Sequence, residues 1–489
     1  MISFVVSIAM LLLGYLIYGR IVERNFAPDA QRVTPAVVHN DALDYVPMPT
    51  WKVFLVQFLN IAGTGPIFGA IQGILFGPAA YIWIVLGCIF GGAVHDFMCG
   101  VISLRRDGAS LPDIVGGELG TVALNVMRVF SLVLLVLVGA VFISTPAGLL
   151  ANMTAGWGPV GTSTFWCIVI LLYFLLATLL PVDKVIGRIY PLFGVALLVM
   201  AVGILIGIFT HAGTMPEVTE AFTNHHPATN LSVVPGVCIT IACGAVSGFH
   251  ATQSPLMARC LKNERHARPV FYGAMIVEGL VALIWAAAAI KFASASGAPG
   301  ATPYEQLQNL MTDNGAHGVN PAILVNTICR SWMGTVGALL AVLGVVLAPI
   351  TSGDTAFRSA RLIVNDIFHL SQKNIGKRVL VTLPLFAIAI FLLFIDFSVL
   401  WRYFAWCNQT LATVLLWAAT VWMAKRGKHY LIGLVPSVWM TFICGSYIFA
   451  APEGFCLSPL PSLLIGLGVT IVVLAFFVRW KRKKIRVEE

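Results

Sequence analysis

The sequence predicts an all-α polytopic membrane protein: two inverted five-helix repeats, with one extra helix before them and two after. Three observations carry that expectation. Of 489 residues, 58% are hydrophobic and 10% charged, and the mean hydropathy is +0.90, outside the range of soluble globular domains. Apolar runs of roughly 18 residues or more recur from end to end, about thirteen in all. Two of them, residues 51–75 and 234–257, are interrupted midway and stand five spans apart, so one starts on the inner side and the other on the outer side. Discontinuous helices at matching places in two oppositely directed halves point to the central site of a transporter.

Residues 1–50 hold the first helix, Ile2–Tyr18, and a polar loop with Pro28, Pro35, Pro47 and Pro49. The first run has neither a basic leader nor a small-residue cleavage site, so it reads as a retained helix. The first repeat, 51–209, opens on Trp51–Leu75, where Asn60-Ile61-Ala62-Gly63-Thr64-Gly65-Pro66 cannot continue a helix. Pro66 lacks an amide hydrogen and clashes with the preceding turn, while Gly63 and Gly65 free the backbone. In hydrocarbon each unpaired peptide group costs several kcal/mol, so such a break persists only where it lines a cavity within protein. Gly77-Pro78 then turns the chain into Tyr81–Leu104, whose Gly87, Gly91 and Gly92 allow close packing on a neighbour. Runs at 122–143, 165–180 and 189–209 follow. The outer loop 210–233 carries His211, His225 and His226 at a spacing that matches no metal-ligand pattern, and it reads as solvated.

The second repeat, 234–424, opens on Val234–Met257, interrupted by Gly244, Ser247, Gly248 and His250 and expected to restart as helix at Ser254-Pro255. Runs at 270–290, 336–350 (with a polar extension to 368), 379–394 and 399–423 complete it. Residues 425–489 hold two further helices, 430–449 and 463–480, and a basic tail suited to anionic lipid heads.

The net charge of +9 is a topology signal. With the N-terminus outside, all 30 Lys and Arg except Lys291, Arg330 and Arg402 fall on one side. Basic loops stay in the cytoplasm, so the N-terminus is expected outside and the C-terminus cytoplasmic. That placement is not a nucleic-acid footprint. Arg402, beside Trp401 and Tyr403, reads as an interfacial anchor. No G-x-x-x-x-G-K-[ST] loop is present, so ATP is not expected to drive the protein directly. The ten cysteines lie mostly inside apolar runs without a C-x-x-C, as small core residues do; Cys329 and Cys456 share the outer side, and a bridge between them stays open. Membrane lipids are the expected surroundings, and nothing in the sequence sets an oligomeric state.

A capping residue followed by proline, as at Thr64-Gly65-Pro66 and Ser254-Pro255, marks a helix start. Free amides and the positive end of the helix dipole at both places would hold a carboxylate without a lysine or arginine. Asn60, Gly63, Thr64, Gly65, Ser247, Gly248, His250 and Ser254 are therefore the candidate substrate-binding residues; the bland alternative is two proline kinks with a packing role. For cation coupling, the hydroxyls of Thr351 and Ser352 beside carbonyls of residues 60–63 could coordinate sodium, or Asp354 could take a proton. Equally, Asp354 could only pair with Arg358 one turn on. His95-Asp96 reads as a proton relay or a packing pair. Glu278 is either a coupling carboxylate or a buried partner for a helix break. No metal site and no catalytic residue are assigned. Two other classes stay open: a membrane-embedded metal enzyme using His95, Asp96 and His250, and a nutrient sensor on a transporter fold.

The segments NIAGTGPIFGAIQG at 60–73, GAVHDF at 92–97, SGFHATQSP at 247–255, TSGDTAFRSAR at 351–361 and WRYFAW at 401–406 closely resemble the carbon starvation protein A family over most of the chain. The resemblance implies a bacterial inner-membrane transporter related to the amino acid–polyamine–organocation superfamily, with the leucine-transporter fold. It implies uptake of peptides during carbon limitation, or of pyruvate in close relatives, with proton coupling; no cofactor is expected beyond a bound proton or sodium ion. In that fold the first and sixth core helices are broken, matching residues 51–75 and 234–257, and the eighth often supplies two hydroxyls to a sodium site, where Thr351-Ser352 fall. Family members are commonly longer, and part of their C-terminal region is expected to be missing here.

Overall fold

The computed structural model describes residues 1–41, 43–154, 156–179, 182–227, 231–312, 321–369, 375–395 and 397–488, and among these it is helical with no strand. Lys373, one of the basic series, lies outside the described residues. The helices are α1 (Ile2–Phe26), the halves of the first broken span α2 (Thr50–Ala62) and α3 (Gly65–Gly73), and α4 (Ala79–Leu104). They continue with α5 (Leu111–Leu119), α6 (Thr121–Met153), α7 (Ser163–Leu179) and α8 (Val182–Thr210). The second broken span is α9 (Val233–Thr240) and α10 (Gly248–Ala258), followed by α11 (Gly273–Ala295), α12 (Pro303–Met311), α13 (Pro321–Ala341) and α14 (Ala348–Phe368). Last come α15 (Ile375–Leu392), α16 (Phe397–Lys425), α17 (Leu431–Ala450) and α18 (Pro459–Glu488). Among the described residues eight helices are long and apolar enough to cross a membrane, and the α2–α3 pair, bent by 44°, makes up to a ninth.

Burial sorts these helices into centre and rim. The apolar stretches of α4 and of the span ending in α11 are each 89% buried, whereas that of α18 is 22% buried. Gly92 of α4 leaves no room for a side chain against the Ala245 carbonyl, so α4 lies hard against the second break.

Two helices are not apolar runs and were not expected. α5 starts at Ser110-Leu111-Pro112-Asp113, where the Ser110 hydroxyl donates to Asp113 (2.6 Å). α12 starts on a side-chain cap: Thr302 Oγ1 accepts from the Glu305 amide (3.3 Å), and the Glu305 carboxylate accepts from the amide of Ala301, the residue before the cap (2.7 Å). α13 begins at Pro321, earlier than the run at 336–350; the backbone leaves helical angles at Gly334, and a wider turn over Val342–Leu347 then carries the chain into α14.

On one face the amino terminus and Ser3 grip Glu217, with the Ser3 amide donating at 2.8 Å. The N-terminus therefore shares a face with the 210–233 loop. Those bonds hold the Glu217 carboxyl down at about 2. The three histidines of that loop do not converge. His211 stacks on Trp332, His225 on Tyr304, and His226 packs on Phe76. All ten cysteines are free thiols, so Cys329, buried, and Cys456, exposed, form no bridge.

Candidate substrate and proton site

Both expected breaks are present, and they touch. In the first, the backbone leaves helical angles at Gly63 (φ 14°, ψ −139°), and Thr64 caps α3 with Pro66 in its first turn. The unwound stretch is Gly63–Thr64 alone; Asn60–Ala62 stay helical, in contrast to the longer break expected. In the second, residues 241–247 are non-helical. Ser247 is extended (φ −142°, ψ 124°), and α10 starts at Gly248. A side chain at Gly65 would collide with Cys243, and a Cβ on Gly244 would sit 3.8 Å from the Pro66 Cα, so the breaks pack directly on one another.

Three placements correct the sequence reading. Ser254-Pro255 does not start the second half-helix: Pro255 lies inside α10, and His250 sits in its first turn. Helix continues through Pro255 because a neighbour satisfies what the proline leaves open. With no amide at 255, the Ala251 carbonyl loses its backbone donor, and the Cys99 thiol of α4 donates to it (3.4 Å). Asp354 and Arg358 do not form an ion pair within 4 Å; Tyr190 Oη donates to Asp354 (2.6 Å), and Arg358 turns to Asp44 (3.3 Å). Of the two expected sodium-ligand hydroxyls only one faces α2. Ser352 Oγ donates to the Asn60 and Leu59 carbonyls (3.0 and 3.3 Å), whereas Thr351 Oγ1 bonds back to Ala348 in its own helix (2.7 Å).

Gln57, Asn60 and Thr64 lie along one stripe of the first broken span, and all three are fully buried. Gln57 Nε2 donates to Ser254 Oγ (3.2 Å), tying the two spans together below the breaks. Asn60 Oδ1 and Nδ2, Thr64 Oγ1, Gln57 Oε1 and Gln253 Oε1 have no protein hydrogen-bond partner. A buried polar atom without a partner costs about 1–3 kcal/mol, so a row of five at the junction of two broken helices suits a place that receives a polar solute.

The titratable residues singled out separately in the sequence converge beside that junction. His95 Nδ1 is 2.8 Å from Asp96 Oδ1, and His250 Nδ1 is 3.0 Å from Asp96 Oδ2. On the other edge of the ring, His250 Nε2 lies 3.4 Å from Glu278 Oε2. All four side chains have no exposed surface. α4, α10 and α11 thus gather His95, Asp96, His250 and Glu278 into one buried chain, in which His250 is hydrogen-bonded to Asp96 while its Nε2 and the Glu278 carboxylate face each other across 3.4 Å without a hydrogen bond. Titratable groups inside a membrane are costly and mark ion or proton pathways. No group of three or more His, Cys, Asp or Glu among the described residues is arranged to hold a metal ion.

Sequence reasoning missed the residues that brace the second break. Asn408 Oδ1 on α16 accepts from the Phe249 amide (2.6 Å) and from Ser247 Oγ (3.1 Å), so it caps α10 from another helix. Gln409 Nε2 donates to the Cys238 carbonyl at the end of α9 (3.0 Å), and the Trp83 indole donates to the Ile241 carbonyl (3.0 Å). Two adjacent carboxamides inside an apolar run were the available signal. The loop before α2 is anchored on α14 and on the residues after α10. Asp44 Oδ1 lies 3.3 Å from Arg358 and 3.6 Å from Arg361, all three buried, and the Met48 amide donates to the Cys260 carbonyl (3.0 Å).

A helical membrane protein with two broken spans in contact and buried titratable groups beside them has the fold of a transporter. A crystal structure of the Eremococcus coleocola manganese transporter, in complex with an aromatic bis-isothiourea substituted compound, shares it with a TM-score of 0.52, covering 91% of this chain and 98% of that one at 13% identity. The family model for the carbon starvation protein CstA matches residues 1–162, 160–313 and 313–446, and the chain belongs to that family. An uncharacterized membrane protein of Haemophilus influenzae is 43% identical over 60% of this chain and 91% of its own length. The peptide transporter CstA of Escherichia coli is 26% identical over 90% of this chain and 79% of its own length. The pyruvate/proton symporter BtsT of Escherichia coli is 31% identical over 57% of this chain and 47% of its own length.

Proposed function

We propose that the protein imports a small carboxylate-bearing nutrient across the bacterial inner membrane by alternating access, driven by protons, with its N-terminus outside and its C-terminus in the cytoplasm. The observation that carries this is the buried His95–Asp96–His250–Glu278 chain, which reaches the first turn of α10 through His250. The substrate carboxylate binds at the start of α3 and between Asn60 and Thr64, where amides and unpartnered polar atoms gather. A proton arriving at Glu278 or His250 changes the charge of that cluster and with it the fit of α10 against α4 and α11. Ser352 holds the end of α2 through its carbonyls in this reading, rather than binding sodium. The release path opens on the basic face when Asp44 leaves Arg358 and Arg361. No covalent chemistry is performed, and neither a metal enzyme nor a sensor is favoured.

Of the buried acids, Asp96 and Glu278 already face His250 and Asp354 accepts from Tyr190, which favours a monocarboxylate such as pyruvate over a substrate whose free amine needs its own acid. A peptide is the second reading, supported by the name of the relative that spans 90% of this chain. Counterflow in proteoliposomes with labelled pyruvate and labelled dipeptides, under proton and sodium gradients imposed separately, distinguishes them. Pyruvate counterflow accelerated by the proton gradient alone is the expected outcome. Uptake driven only by sodium, or no uptake of either solute, overturns the reading.

A further inference from the structure

A groove of about 520 Å³ opens toward the rim of the bundle, lined by residues of α5, α16, α17 and α18. Its walls are Trp417, Val421, Val473, Phe476, Phe477 and Trp480, and at its deep end the Trp417 indole donates to Thr441 Oγ1 (2.9 Å). One carboxylate, Glu118, lines the mouth, with its side chain 2% exposed. Around it stand three cations: Arg106, in a very short pair; Lys425, with Nζ 3.0 Å away; and Arg426, 3.6 Å away. These cations are 26%, 30% and 42% exposed, so they neutralise Glu118 and still present charge outward. Next in the chain to Trp480, Lys481 lies over the Tyr430 ring (4.0 Å to its centroid) and donates to its hydroxyl (2.7 Å).

We propose that this groove is a binding site for an anionic phospholipid, with an acyl chain along Trp417, Val473 and Phe477 and a phosphate over Arg106, Lys425 and Arg426. Charge chooses the occupant. Three cations around one carboxylate leave a local excess of two positive charges, which suits the phosphates of cardiolipin or of paired phosphatidylglycerol. The apolar walls separate a lipid from free phosphate, because an inorganic anion has nothing to place there. α18, the helix with the least buried apolar stretch of those that cross, supplies one wall and gives the chain lateral access.

The test uses the whole purified chain, stripped of lipid in mild detergent, with thermal unfolding followed after adding cardiolipin, phosphatidylglycerol, phosphatidylcholine of the same acyl chains, or inorganic phosphate. The expected result is a rise in melting temperature with the two anionic lipids only. Val473→Trp fills the groove without touching the cations and should weaken the apparent lipid affinity by at least about tenfold. Lys425→Gln with Arg426→Gln leaves Arg106 on Glu118 and should erase the preference for anionic over neutral lipid. Equal stabilisation by phosphatidylcholine, an effect reproduced by phosphate alone, or an undiminished cardiolipin response in both variants overturns the proposal.

Discussion

Asn408→Ala is the substitution whose consequence follows most directly from the structure. The Asn408 carboxamide is fully buried and accepts two hydrogen bonds at the start of α10, from the Phe249 amide at 2.6 Å and from Ser247 Oγ at 3.1 Å. Removing it leaves the Phe249 amide without an acceptor inside the bundle. The Ser247 hydroxyl is less affected, because it can turn toward Cys243 Sγ, already 3.8 Å away. Counting only the amide, the loss is about 1–3 kcal/mol, or a factor of roughly 5 to 150 in the balance between an intact and a loosened break. Transport in proteoliposomes is the assay, with KM and maximal rate measured separately and melting recorded on the same sample. The expected outcome is a raised KM with a lowered melting temperature. Asn408→Asp keeps both acceptor positions at a helix start, where negative charge is favoured, but loses the amide that donates to Cys243 Sγ (3.6 Å) and buries a carboxylate, so it should recover KM only in part and leave melting lowered. An alanine variant with unchanged KM and unchanged melting refutes the bracing role.

Other consequences concern the two faces of the bundle. Asp44→Asn removes the charge opposite two buried arginines; breaking a buried pair in this way costs about 3–5 kcal/mol and should free the loop before α2. Burial holds the Cys260 thiol up at about 12 beneath that loop, so it is unreactive while the loop is seated. Labelling of Cys260 by an impermeant maleimide, located by peptide mass spectrometry, should accelerate at least about tenfold in the variant; an unchanged rate argues that the loop does not gate the basic face. On the opposite face, the Glu217 carboxyl is lowered from 4.5 to about 2, chiefly by the amino terminus and Ser3. A depressed carboxyl stabilises the fold above its unfolded value, and that contribution fades as pH falls from 4.5 toward about 2. The melting gap between wild type and Glu217→Gln should therefore be flat from about pH 6.5 to 5 and close below that. A gap that widens in acid contradicts the assigned contact.

Much of the transporter fold was readable because glycine and proline punctuate apolar runs in only a few ways. Gly63 and Pro66 in one span, and Gly244 and Gly248 in the other, announced two interruptions, and both are present. Where the second half-helix restarts was misread for a tertiary reason: Pro255 is tolerated inside α10 by a thiol on α4, a partner 156 positions earlier in the chain. The same distance hides the proton chain. His95, Asp96, His250 and Glu278 each stood out as titratable groups in apolar surroundings, but nothing local says that His250 lies between the two acids. Asn408 and Gln409 give a weak signal, since carboxamides occur in membrane helices for many reasons. α12 had a local signal in Thr302-Pro303-Tyr304-Glu305, an N-cap threonine, a first-turn proline and an N3 glutamate, but no apolar run accompanies it.

The coupling claim is tested most directly by proton movement accompanying substrate. Proteoliposomes loaded with a fluorescent pH indicator and given external pyruvate should acidify inside with the wild-type protein. Glu278→Gln keeps the shape beside His250 but cannot release a proton, so it should abolish the acidification while labelled pyruvate still exchanges in counterflow. Acidification of the same size in the variant, or pyruvate entry through the wild type with no proton signal, would contradict the account.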